Sequence, residues 1–151
     1  MKNYLPFLIL ILSIGSINAQ SVNKLKKELL NSIEQKSDEL ITMSDNIWHA
    51  AEVAFREEKS AEYLIEYAKQ NGFVVDSDLA GMPTAFTATY GEGSPVIGII
   101  GEFDALPGLS QTTVPYKNEL TEGGAGHGCG HNLFGTASLG AAVAIKELIE
   151  K

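Results

Sequence analysis

The segment VIGIIGEFDALPG, residues 96–108, decides the fold of this chain. Its first five residues are apolar without alternation, which predicts a central strand buried on both faces. Apolar residues recur at helical spacing before and after it, and a shorter stretch alternates as a half-buried strand does. The order of elements predicts an α/β fold. Helices are expected over about 22–51, with a bend or break near Ser37 or Ser44, 60–71 and 132–150, and strands over 73–75 and 84–90.

The last predicted helix follows a glycine-rich loop, and Asn132 is expected to be its N-cap. In α/β folds such a helix normally leads to another strand. The sequence ends at Lys151 instead. We therefore expect the chain to be a truncated first part of a longer domain.

The charge balance argues against a nucleic-acid partner. The 151 residues include 19 acidic and 11 basic ones, a formal net charge of −8, and no basic run is present. Neutralising phosphates requires clustered Lys and Arg.

The first 19 residues have the layout of a secretory signal peptide. Lys2 precedes an apolar core from Leu5 to about Ile14, and a small residue, Ala19, stands at the expected cleavage point. That core is shorter than the roughly 20 apolar residues of a membrane span. We expect cleavage after Ala19, a mature chain of residues 20–151, a periplasmic or extracellular location and no stable membrane anchor. A first core helix remains the alternative.

Two carboxylates end the predicted central strand. Glu102 and Asp104 are two residues apart, so on extended backbone their side chains point to the same side. Placing two carboxylates together costs free energy unless a cation or an imidazole compensates their charge. Sites in α/β sheets form at the carboxyl ends of strands. The alternative is that both side chains simply reach solvent.

The stretch GHGCGHN, residues 126–132, contains the only cysteine of the chain. A single cysteine cannot form an internal disulfide, so in an exported protein its thiol is free, paired with another chain or bound to a ligand. Thiolate and imidazole are both zinc ligands, and the spacing lets Cys129 and His131 converge. A flexible turn and a catalytic Cys–His dyad are the alternatives.

These motifs resemble the metal-dependent amidohydrolases of the aminoacylase and carboxypeptidase group. The resemblance covers most of residues 47–147 and is carried by four stretches: IWHAAEVAFREEKSAEYLIEYAKQNGF, AGMPTAFTATYGEGSPVIGIIGEFDALPGLSQ, GHGCGHN and LFGTASLGAAVAIKE. It implies the N-terminal part of a three-layer, metallopeptidase-like catalytic domain with a central mixed sheet. It also implies a divalent metal, zinc or manganese.

The resemblance assigns roles to single residues. Cys129 and His131 match a Cys-Gly-His motif and would be metal ligands. Asp104 would hold a metal ligand in the correct orientation by a hydrogen bond. Relatives have histidine where Glu102 stands, which leaves the ligand role of Glu102 open. His127 fits the local pattern without an assigned role. The catalytic Glu and the remaining ligands of the family would follow later in the chain.

The function implied is metal-dependent hydrolysis of an amide bond in an N-acyl or aminobenzoyl amino acid, or in a short peptide. This chain would supply part of the metal centre of a longer enzyme, a homodimer or hetero-oligomer, and would be incomplete and inactive alone. The alternative is a truncated, inactive exported fragment with at most weak metal binding.

Overall fold

The structure is a computed structural model that describes residues 21–151. The predicted signal peptide lies outside the described residues. Helix α1 occupies residues 21–35, and a turn at Lys36 separates it from α2. This turn confirms the break that was expected near Ser37 or Ser44. The remaining elements are α2 (Ser37–Ala50), α3 (Glu58–Gln70), β1 (Val74–Ser77), a short 3-10 turn (Leu79–Gly81), β2 (Phe86–Thr89) and α4 (His131–Ile149).

The core lies where α2, α3 and α4 pack against one another. Each helix contributes buried apolar residues three or four positions apart, which is the spacing that places side chains on one helix face. Ile47 and Val143 are almost completely buried in this core. Its buried members are Met43, Ile47, Leu64, Tyr67, Ala68, Leu139 and Val143.

The helices α2 and α4 approach closely because a glycine lies between them. A Cβ at Gly140 would lie 3.0 Å from Cδ1 of Leu40. Gly140 therefore lets α2 pack closely against the middle of α4, the helix whose first residue belongs to the candidate site.

The sheet of the described residues has two antiparallel strands. β1 pairs with β2 in a register that runs from Val74 opposite Thr89 to Ser77 opposite Phe86. Phe86 and Ala88 face the helical core, as the alternation in the sequence predicts. The strands predicted at 73–75 and 84–90 are present with shifted bounds, and the predicted α/β class is confirmed.

The predicted buried central strand at residues 96–100 is wrong for the described part of the chain. Residues 96–100 form no strand there, and the exposed fractions of Val96, Ile97 and Ile100 are 87%, 79% and 75%. An apolar segment is buried on both faces only where neighbouring strands and helices cover it. Within residues 21–151 the segment contacts α4 through its end, where the Ser138 hydroxyl donates to the Ile100 carbonyl at 2.7 Å.

None of the helices described is long and apolar enough to cross a membrane.

Candidate metal centre

The segment that carries the two carboxylates lies directly on the first turns of α4. A Cβ at Gly135 would lie 2.9 Å from the carbonyl oxygen of Glu102, and one at Gly101 would lie 3.2 Å from Cα of Gly135. Side chains at these two glycines would push the segment away from α4. The glycines therefore bring Glu102 and Asp104 within reach of the start of α4.

Two backbone pairings connect the same segment to its surroundings. The amide of Ala105 donates to the carbonyl of Glu52 at 2.7 Å, just after the end of α2. Leu106 and Gly126 exchange two hydrogen bonds of 3.0 Å each. The end of the carboxylate segment is thus paired with the glycine-rich loop that leads into α4.

His131, the first residue of α4, lies between the two carboxylates. Its Nδ1 is 2.7 Å from Oδ1 of Asp104, and its Nε2 is 3.0 Å from Oε2 of Glu102. Asp104 and His131 are partly buried, whereas Glu102 is exposed. Both carboxylates therefore lie beside the end of the glycine-rich loop.

A neutral His131 cannot donate a hydrogen bond to both carboxylates. A neutral imidazole has one N–H, so it can donate to one of the two carboxylates only. If Asp104 accepts the Nδ1 hydrogen, the lone pair of Nε2 faces a carboxylate oxygen of Glu102. A metal ion next to both atoms would remove this repulsion.

The three side chains fit a divalent metal. Within residues 21–151, one group of potential ligands has its atoms within 4.8 Å of one another, and it consists of Glu102, Asp104 and His131. Two ligands on a tetrahedral zinc lie about 3.3 Å apart, close to the observed separation of Nε2 and Oε2. The Nδ1 contact matches the pattern in which a metal-binding histidine donates its other N–H to a carboxylate.

Cys129 is placed differently from His131. It lies in the turn before α4 and is exposed, and it is outside the group of three ligand atoms in the described chain. Gly130 follows with φ +77°, a left-handed conformation that favours glycine. That the thiol is a ligand stays a prediction, as do the roles of the other site residues.

His127 makes a long-range hydrogen bond. Its Nε2 lies 3.1 Å from the carbonyl oxygen of Ile47 in α2. Because a carbonyl only accepts, Nε2 must carry a hydrogen, and in the neutral ring Nδ1 then has the lone pair. Nδ1 is buried without a partner in the described chain. Burial lowers the pKa of His127 below its usual value, the Ile47 hydrogen bond opposes this shift, and the nearby His131 adds to it.

Asn132 caps no helix, contrary to expectation, because Gly130 occupies the N-cap position of α4. Asn132 is buried, and its Nδ2 donates to Oγ of Ser44 at 3.0 Å. Sequence reasoning missed the contacts of Asn132 and His127 because the partners are 88 and 80 residues away. No local pattern indicates either contact.

Replacing Asp104 by Asn should weaken metal binding by about 10–100-fold, the usual effect of losing a carboxylate behind a metal-binding histidine. The amide keeps the size of the side chain but can present its NH₂ group to Nδ1, which favours the wrong tautomer of His131. Competition with a chromophoric chelator measures the dissociation constant. An unchanged constant would show that Asp104 does not orient His131.

Known proteins that are similar to this chain are hydrolases. The chain is 42% identical over 122 residues to a subunit of the p-aminobenzoyl-glutamate hydrolase of Escherichia coli (strain K12), a match that covers 80% of this chain and 25% of that protein. The chain is similar to the N-terminal portion of an amidohydrolase. It is also 26% identical over 147 residues to the Xaa-Arg dipeptidase of Mus musculus, covering 90% of this chain and 30% of that enzyme. No family model matches the chain.

The fold has a solved counterpart. A crystal structure described as that of an aminohydrolase from methicillin-resistant Staphylococcus aureus superposes with a TM-score of 0.62 at 23% identity. The match covers 82% of this chain and 31% of that structure. The predicted resemblance and the partial α/β domain are therefore confirmed. This chain spans about a quarter to a third of the length of these proteins.

Proposed function

We propose that this chain supplies part of the metal centre of an enzyme that hydrolyses an amide bond in N-acyl or aminobenzoyl amino acids. The observation that carries the proposal is the position of His131 between the carboxylates of Glu102 and Asp104. The names of two relatives, one from a p-aminobenzoyl-glutamate hydrolase and one a dipeptidase, support the substrate class.

A divalent ion, zinc or manganese, would polarise the amide carbonyl and lower the pKa of a bound water. The residues of this chain would hold that ion. His131 would bind through Nε2, because Asp104 accepts the hydrogen of Nδ1. Glu102, whose carboxylate lies beside Nε2, would add an oxygen ligand.

Cys129 would be the further ligand from this chain. Coordination would keep its sulfur as thiolate and protect it from oxidation outside the cell. Its exposure places it at the surface of the turn, two residues before His131. Binding of both side chains to one ion would require the sulfur to turn toward the imidazole, a movement that the flanking Gly128 and Gly130 favour because they carry no side chains.

The protein would act on small substrates as an oligomer. The Escherichia coli relative is named as one subunit of its hydrolase, which supports a hetero-oligomer for the complete enzyme. A homodimer is the alternative. We expect no nucleic-acid partner, in keeping with the formal charge of −8.

The experiment is a hydrolysis assay on the protein as its own gene expresses it. Release of p-aminobenzoate from p-aminobenzoyl-glutamate is expected, together with loss of activity after treatment with a chelator and recovery on adding Zn²⁺ or Mn²⁺. Hydrolysis of N-acetyl amino acids in parallel would define the acyl group accepted. Amide hydrolysis that persists in metal-free protein would contradict the proposal, and so would no hydrolysis of any of these amides by the metal-loaded protein.

Export is a separate proposal, supported by the signal-like residues 1–19. The protein collected from the periplasm or the medium should begin at Gln20. Intact-mass measurement checks this directly. A mass that still includes residues 1–19 would show that the segment is not removed.

A further inference from the structure

Both ends of the segment that contains Cys129 and His131 are bonded to the same helix. His127, before the segment, donates from Nε2 to the carbonyl of Ile47 at 3.1 Å. Asn132, at its end, donates from Nδ2 to Oγ of Ser44 at 3.0 Å. The two acceptors are three residues apart in α2, so they lie on one face of that helix.

That face of α2 belongs to the most buried part of the molecule. Ile47 is completely buried and Ser44 is 5% exposed. Asn132 is also buried, at 7%. Hydrogen bonds in such surroundings are costly to break, because the separated partners cannot turn to water. The two bonds therefore fix the two ends of this segment, His127 and Asn132, against α2.

We infer that His127 and Asn132 are positioning residues that hold His131 against α2, in the position between Glu102 and Asp104 that binds the metal. This inference rests on the proposed function, since it concerns the same metal centre. Neither residue belongs to the group of candidate ligand atoms of Glu102, Asp104 and His131 in the described chain. Both act through the position of His131, and the ring of His127 has its donor fixed on Nε2 by the Ile47 carbonyl.

A comparison of two variants of His127 tests the inference. His127→Phe keeps an aromatic ring but removes the donor, and His127→Gln keeps an amide N–H near the place of Nε2. In the protein as its gene expresses it, His127→Phe should raise the dissociation constant for Zn²⁺ by about 10–100-fold, and His127→Gln should restore most of the affinity.

The Co²⁺-loaded protein provides a second readout that a loss of stability alone does not change. Its visible absorption reports the ligand geometry, and it should differ from wild type in His127→Phe and resemble wild type in His127→Gln. All measurements are made far below the unfolding temperature of each variant. An unaltered Zn²⁺ affinity and Co²⁺ spectrum in His127→Phe would overturn the inference, as would a His127→Gln protein no better than His127→Phe.

The other anchor gives an independent test if His127→Phe does not fold. Ser44→Ala and Asn132→Ala break the same hydrogen bond, so each should weaken Zn²⁺ binding, and the double variant should weaken it no further. Wild-type affinity in both single variants would overturn the role of Asn132. Wild-type protein that binds no Zn²⁺ would contradict the proposed function, whereas equal binding by wild type and His127→Phe would contradict the positioning role alone.

Discussion

His131→Ala is expected to abolish amide hydrolysis, with a loss of about 1,000-fold or more in kcat/KM. A metal that polarises the carbonyl and activates water contributes several kcal/mol to the transition state, and each 1.36 kcal/mol corresponds to a tenfold change in rate. The imidazole of His131 contacts both carboxylates of the site. Its removal deletes a ligand and leaves Glu102 and Asp104 without a compensating group between them.

The matched control is His49→Ala. His49 is exposed, and its Nδ1 bonds the carbonyl of Asp45 within its own helix at 2.7 Å. Substitution there should leave kcat/KM and metal content unchanged. Near wild-type hydrolysis by the His131→Ala protein would contradict the proposed centre. A similar loss in His49→Ala would show that the assay reports general damage.

Gly126→Ala should destabilise the protein by about 3 kcal/mol or more, beyond most overpacking substitutions. A Cβ at this position would overlap the carbonyl oxygen of Leu109 and lie 2.7 Å from the carbonyl carbon. The obstacle is backbone, so no side-chain rotation relieves it. The same residue exchanges two hydrogen bonds with Leu106, and relief of the overlap would break that pairing.

Urea unfolding of the Gly126→Ala protein measures this effect, and Gly98→Ala is the control. A Cβ at Gly98 would meet no atom within 4 Å, so this change should stay within about 0.5 kcal/mol of wild type. Equal midpoints for the two variants would mean that the loop is not packed as described.

Helices were largely predictable because their apolar faces repeat at short spacing. The start of α3 was not predictable in this way, because the sequence pattern suggested Ser60 whereas the helix begins at Glu58. The carboxylate of Glu52 accepts hydrogen bonds from the backbone amides of Lys59 and Ser60 at 3.1 and 2.9 Å. The partner of these first-turn amides lies outside the helix pattern, where periodicity does not reveal it.

The burial of residues 96–100 could not be predicted from their apolar character. Apolar side chains favour burial, but whether they are buried depends on which other elements of the fold cover them. Among the residues described, α4 contacts the end of the segment, and Val96 and Ile97 remain exposed.

The candidate site was predictable in its carboxylates and only partly in its loop. Spacing of two along extended backbone places Glu102 and Asp104 on one side, and both contact His131. The contacts of His127 and Asn132 with α2 depend on how distant elements pack, which no local motif contains. The pairing of Cys129 with His131 on one ion remains a prediction.

Metal analysis of wild-type and His131→Ala proteins, after exhaustive dialysis, tests the metal centre most directly. The proteins are prepared as the gene expresses them and compared by mass spectrometry of the metal. We expect at least one zinc or manganese ion per chain in wild type and a clear loss of that ion in His131→Ala. Equal metal content in the two proteins, or no bound metal in wild type after incubation with Zn²⁺ or Mn²⁺, would contradict a metal centre at Glu102, Asp104 and His131.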